Sequence, residues 1–176
     1  MSELDEEWAR RLAEAEARAR VSGRGDVADY LRLRAGNDAA RSAGIDWLLT
    51  TCTNLAGVLN RHGSAGVRVE RREEHRFRIG LSTMVGTLLT FRAGVRAVSV
   101  QAGWPRVPQD GIVRGGGLAL AQINHFGNAR ANQEFLLVRP HPANAPQWQA
   151  AGQTPGAPPL YLREEHLIQH LSRLLN

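Results

Sequence analysis

Residues 84–102, MVGTLLTFRAGVRAVSVQA, decide the fold because two apolar runs of period two flank a short break. The second run alternates Val98 and Val100 with smaller or polar residues, and the first run alternates in the same way. Alternation at every second position turns one face of a strand toward a core. Because Ala93-Gly94 forms a tight and flexible link, the stretch predicts an antiparallel β-hairpin.

The same two periods organise the rest of the chain. Period two recurs in residues 67–79, 118–124 and 135–139, which predicts further strands. Apolar residues every three or four positions predict helices over residues 3–22, 27–35, 38–62 and 161–175. Consecutive strands with short links favour antiparallel pairing. We therefore predict an α+β fold: a two-layer sandwich of N-terminal helices, a mainly antiparallel sheet of five or six strands, and a C-terminal helix.

The length of 176 residues suits one domain with an appended helix. We predict that residues 1–23 form an N-terminal helix that acts as a docking or oligomerisation arm. Residues 24–176 are predicted to form a single α+β domain. Within it, residues 140–159 hold six of the eight prolines and predict a proline-rich crossover.

All 22 basic residues are arginine, and they oppose 17 acidic residues to leave a net charge of +5. Residues 47–163 carry 13 of the arginines against five acidic residues, so the middle of the chain is basic. One explanation for the use of arginine in place of lysine is a nucleotide bias of the source genome. A functional explanation is also open, since the arginine fork suits phosphate and carboxylate groups.

Other features bear on compartment, metals and cofactors. The chain has one cysteine, Cys52, no run of 18 apolar residues, and an acidic start unlike a signal peptide. We therefore expect a cytoplasmic protein without a membrane partner. His166 and His170 have a metal-capable spacing, but no further ligands accompany them. We expect neither a metal site nor a cofactor.

The glycine-rich loop over residues 103–117 is the first candidate site. Backbone amides in such turns can cradle an anion, and arginine adds a fork for phosphate or carboxylate. The candidate ligand-binding residues are Trp104, Arg106, Asp110, Arg114, Gly115, Gly116, Gly117 and His125. The alternative is a structured loop that needs glycine for backbone reasons.

Arg76 and Arg78 form the second candidate, a basic strand face that follows a nucleic-acid backbone. Alternation places them on the face of the strand opposite to His75, Phe77 and Ile79. Interleaved glutamates favour the alternative, a solvated face that pairs with itself.

Catalytic patterns are weak. The chain has no G-x-S-x-G and no H-E-x-x-H, and Cys52 lies in a predicted buried helix where a thiol is inert. The best remaining constellation is His75, Asp110 and His125, with Arg114, provided that the fold gathers them. We leave enzyme activity uncertain and assign no catalytic residue.

The leading hypothesis is a small non-catalytic module that binds protein or drives assembly, as a homo-oligomer or a complex subunit. Its docking candidates are Trp8 and Leu12, on a thin apolar stripe of the first helix. One alternative is an anion or nucleic-acid binding module that uses arginines of the glycine-rich loop and the strands. A second alternative is an unrecognised hydrolase.

Overall fold

The computed structural model describes residues 3–62, 66–141, 144–153 and 156–175. The helices of this part of the chain are α1 (Glu3–Val21), α2 (Gly25–His62) and α3 (Glu164–Ser172). The strands are β1 (Arg68–Ile79), β2 (Ser82–Ala93), β3 (Arg96–Trp104), β4 (Ala119–His125), β5 (Gln133–Val138) and β6 (Gln147–Ala150). The predicted α+β class is confirmed.

The six strands form one sheet in the order β1-β2-β3-β4-β5-β6, and every neighbouring pair is antiparallel. The predicted hairpin is β2 and β3, whose register runs from Ala93 opposite Arg96 to Val85 opposite Trp104. Its turn contains Gly94 with a φ of 57°, a left-handed conformation that glycine adopts without steric cost. Local pairing of each strand with the next makes a simple meander.

The chain divides into two compact units, residues 1–43 and residues 44–176. The first unit is a helical hairpin made of α1 and the first part of α2. Two contacts join its helices. Glu16 of α1 forms an ion pair with Arg32 of α2 at 3.6 Å, and the guanidinium of Arg34 lies 5.1 Å from the ring centroid of Trp8. The boundary predicted after residue 23 falls in the turn between these helices, and residues 1 and 2 of the predicted arm lie outside the described part.

One continuous helix, α2, replaces the two helices that we predicted over residues 27–35 and 38–62. The predicted break at Gly36-Asn37 is wrong. A helical glycine costs about 1 kcal/mol relative to alanine, whereas ending and restarting a helix requires a new nucleus. The alanines and arginines around Gly36 are strong helix formers, and Arg41 pairs with Asp38 within the same helix at 2.7 Å.

The second unit has one large core on one face of the sheet, which we call the covered face. Helix residues from Ile45 onward and from α3 pack there on alternate residues of all the strands from β2 to β6. The fully buried side chains include Leu48, Cys52 and Phe91. Burial raises the pKa of the Cys52 thiol to about 12, so the cysteine stays protonated and inert.

The opposite face of the sheet, which we call the open face, has two halves. One half is a small apolar cluster around Phe77, Met84 and Leu120, with Val113 of the glycine-rich loop packed against it. Ser82 fixes this loop, because its hydroxyl donates to the backbone oxygen of Ile112 at 2.8 Å. The other half is polar and partly exposed.

The proline-rich crossover contains a strand that we did not predict, β6. Trp148 at its centre is buried, and its indole Nε1 donates to the backbone oxygen of Gly44 at 2.9 Å. Residues 142–143 and 154–155 of the crossover lie outside the described part.

A search of the described helices for one with the length and apolarity to cross a membrane finds none.

Candidate functional site

The first part of the glycine-rich loop forms a compact electrostatic cluster at one end of the sheet. Asp110, 6% exposed, accepts a hydrogen bond from Arg76 Nη2 at 2.8 Å and another from the backbone N–H of Arg106 at 3.2 Å. The Arg106 guanidinium lies 3.5 Å from the ring centroid of Trp104. Arg76, a candidate for nucleic-acid contact, therefore neutralises a buried carboxylate of the candidate anion loop.

The triple glycine has a backbone role that the structure makes explicit. Gly115 and Gly116 have φ angles of 78° and 73°, in the left-handed region that side chains rarely adopt. Gly117 packs against Leu136, and a Cβ there would approach it to 3.3 Å. Arg114 is exposed and lies over Gly80. These conformations support the structured-loop alternative, and anion binding by the loop stays a prediction.

His125 lies away from the loop. It ends β4 opposite Val98, whereas the start of β4 lies beside the loop end of β3, with Leu120 opposite Gly103. At about 3.4 Å per residue, the six intervals from Ala119 to His125 span about 20 Å. The sheet register therefore separates His125 from the other residues of the predicted anion site.

The three candidate catalytic groups have separate partners. His75 Nε2 lies 3.1 Å from Gln101 Oε1 on the open face, Asp110 is paired with Arg76, and His125 contacts α3. The constellation that the sequence left open is thus not assembled. Among the described residues, no group of three or more His, Cys, Asp or Glu side chains is placed to hold a metal ion.

His125 forms a buried pair with His170. His125 Nε2 lies 2.7 Å from His170 Nδ1, and His170 Nε2 lies 3.1 Å from Gln133 Oε1. Because the amide oxygen only accepts, His170 donates from Nε2 and its Nδ1 accepts from His125. Burial, the His125 ring and the positive charge of Arg173 lower the pKa of His170 to about 4. Burial and Arg173 likewise lower the pKa of His125.

A cleft opens beside this pair, between β5 and α3. Its walls include Phe135, Tyr161, His166, His170 and Arg173. The cleft encloses about 70 Å³, which is space for a few water molecules. Small-molecule sites typically enclose about 300–1,000 Å³, so this cleft admits solvent to the histidine pair rather than a substrate.

A polar ladder crosses the open face, and we did not predict it. Gln101 donates to Gln122 at 2.8 Å, and Gln122 donates to Glu134 at 3.2 Å. His75 reaches Gln101 across β2 because its partner on β2 is Gly86, and the residue opposite Gly86 on β3 is Gly103, so neither adds a side chain there. The signal was present in the sequence, since polar residues alternate with the buried residues of β3, β4 and β5.

The helical hairpin holds both docking candidates in different environments. Trp8 is 47% exposed, whereas Leu12 is buried. Three further large apolar side chains of the hairpin are exposed, namely Val21, Tyr30 and Leu33. Trp8 thus belongs to a wider set of exposed apolar side chains, while Leu12 contributes to packing.

Comparison of the chain with protein-family models, with curated proteins and with solved structures finds no match.

Proposed function

We propose that the protein is a non-catalytic assembly module that associates with a second copy of itself through the helical hairpin. The observation that carries this proposal is the inverted distribution of apolar side chains in residues 6–43. The large ones are mostly exposed: Trp8, Val21, Tyr30 and Leu33. The buried ones are mostly alanine: Leu12, Ala19, Ala28 and Ala40.

Such a hairpin gains little stability from its own packing. Short helices are marginal in water unless an apolar face is buried. Burying a large apolar side chain contributes about 1.5–3 kcal/mol, whereas an alanine contributes much less. Pairing two hairpins would bury the exposed set and make a four-helix arrangement with the missing apolar core.

The charges of the hairpin suit contact between identical surfaces. Six of its eight arginines form ion pairs with acidic residues of the same hairpin, such as Arg10 with Glu7 at 2.6 Å and Arg20 with Glu16 at 2.6 Å. Like surfaces therefore meet without a large net repulsion.

The non-catalytic part of the proposal is supported by the separate engagement of His75, Asp110 and His125. The proposal includes the cytoplasm as the working compartment, where the single buried thiol of Cys52 needs no oxidised partner.

The test is the oligomeric state across micromolar concentrations, measured by sedimentation velocity. We expect a dimer for the natural chain and a monomer for Y30E/L33E, because two carboxylates would then have to be desolvated at the interface. The matched control is L81E/V95E, which places the same charges at two exposed apolar positions in sheet turns. A monomeric natural chain, or equal dissociation in both double variants, would refute the proposal.

A further inference from the structure

The polar half of the open face ends in a row of side chains that extends from β1 to the end of β4. Register places Arg68 opposite Arg92 and Arg92 opposite Ala97, and the backbone N–H of Phe126 donates to Ala97 O at 2.9 Å. We propose that this row binds single-stranded nucleic acid, with the arginines on phosphates and the ring of Phe126 under a base. This function is separate from assembly through the hairpin.

The arginines of this face are available to an external anion. Arg68 and Arg92 are direct cross-strand neighbours, and like charges in that position are destabilising. Arg72 lies on the same face. Within the described residues, none of the three makes an ion pair or a side-chain hydrogen bond. Glu70 shares the face without pairing with them, so the group keeps an excess of positive charge.

Other arginines close by are engaged within the protein. Arg71 pairs with Glu73, and Arg76 pairs with Asp110. Arg71 and Arg76 lie on the opposite face of β1 from Arg68 and Arg72. A bulge between Arg72 and His75 keeps those two residues on the open face although their spacing is odd. The second unit as a whole holds 14 arginines against eight acidic residues, which favours an anionic partner over a basic one.

Phe126 supplies the aromatic surface that makes a nucleic acid the better partner than an acidic peptide. His125 points to the covered face, where it meets His170, so alternation places Phe126 on the open face. The residue is 81% exposed. Ala97, between the ring and Arg92, is too small to cover either.

The distance between Phe126 and Arg92, and the polar side chains beside them, also suit a nucleotide strand. Phe126 and Arg92 are two strand intervals apart, about 10 Å, so a base and a neighbouring phosphate can be contacted together. The next row of the same face offers hydroxyl and amide groups from Thr90, Ser99 and Asn124, with the carboxylate of Glu70 at its β1 end. A stacked duplex keeps its bases from the ring, whereas a single strand offers them.

The experiment is fluorescence anisotropy of the full chain with a labelled oligothymidylate at increasing salt. We expect binding at low salt that weakens steeply as salt rises. R68A/R92A should lower the affinity at least tenfold and reduce the slope of log K against log salt by about 1.4, since each phosphate contact on a single strand contributes about 0.7. The matched control R24A/R61A removes two exposed arginines elsewhere, Arg61 from the helix layer of the covered face, and should leave most of the affinity.

The ring is tested separately. F126A should lower the affinity about tenfold, F126W should retain it, and L81A at an exposed turn should not change it. The proposal is overturned by any of three results: no binding at low salt, equal binding of duplex DNA or polyglutamate with no effect of F126A, or an equal loss in R24A/R61A. Because the substituted side chains are exposed, an unfolding temperature no lower than that of the natural chain will confirm that the fold of each variant is intact.

Discussion

Acidification should destabilise the second unit through the His125–His170 pair. Both imidazoles have a lowered pKa in the folded state, where they are neutral and hydrogen bonded. In the unfolded chain they take up protons more readily, near the ordinary histidine pKa of 6.5. The pair is therefore fully stabilising above pH 6.5, and its contribution is lost as the pH falls from 6.5 toward about 4, where His170 becomes charged inside the fold.

The size of the effect follows from the pKa of His170. A gap between 6.5 and about 4 corresponds to about 3 kcal/mol, at about 1.4 kcal/mol per pKa unit. Solvent in the adjacent cleft screens the neighbouring charges of Arg173 and His166, which reduces this figure. We expect the free energy of unfolding to fall by about 1–2 kcal/mol from this residue alone.

Urea unfolding at a series of pH values between 6.5 and 4 measures the effect. H170Q removes the titrating group, so its unfolding free energy should depend less on pH than that of the natural chain by about 1–2 kcal/mol over this range. The control is H62Q, at the exposed end of α2, which should follow the natural chain. An H170Q curve parallel to the natural one would show that His170 is not held neutral by the fold.

Three further substitutions test the sheet unit by urea unfolding. G86A should destabilise the sheet by 3 kcal/mol or more, at about the upper end of overpacking costs, because the added Cβ would lie 1.9 Å from a backbone oxygen of β3. R76A should cost about 1–2 kcal/mol, because the buried Asp110 carboxylate loses its charged partner but keeps the hydrogen bond from the Arg106 backbone. R78A, at a strand position without an ion pair among the described residues, should change stability by less than about 0.5 kcal/mol. W148F should cost about 1–3 kcal/mol, because the buried indole hydrogen bond is lost.

Local patterns in the sequence predicted the elements whose structure is set locally. The β2–β3 hairpin follows from period-two alternation around Gly94, and both partners of the pairing lie within 23 residues. The same local reasoning failed at Gly36-Asn37, because helix propagation through a glycine costs less than a new helix start. It failed again at β6, where four residues give no period and Trp148 is buried by residues distant in sequence.

The candidate sites depended on register, which no local pattern gives. A shift of one residue turns every side chain of a strand to the other face. In the folded sheet Arg76 lies beside Asp110, and Arg92 lies in one row with Phe126. His125, which we predicted to join the glycine-rich loop, lies at the other end of β4. The Arg76–Asp110 pair and the Arg92–Phe126 row each join residues 34 positions apart in the sequence, so local patterns could not show that these side chains lie close together.

The exclusive use of arginine has two separate aspects that the structure distinguishes. A nucleotide bias of the source genome would account for arginine in place of lysine throughout the chain. It does not explain why arginines of the helical hairpin have acidic partners one turn away, as Arg20 has Glu16, while Arg68 and Arg92 oppose each other across two strands. The placement of acidic residues is a property of this sequence, and opposed arginines lower stability. An anionic partner at the open face would supply the missing charge, and this is the reason that the R68A/R92A variant is expected to lose binding while losing no stability.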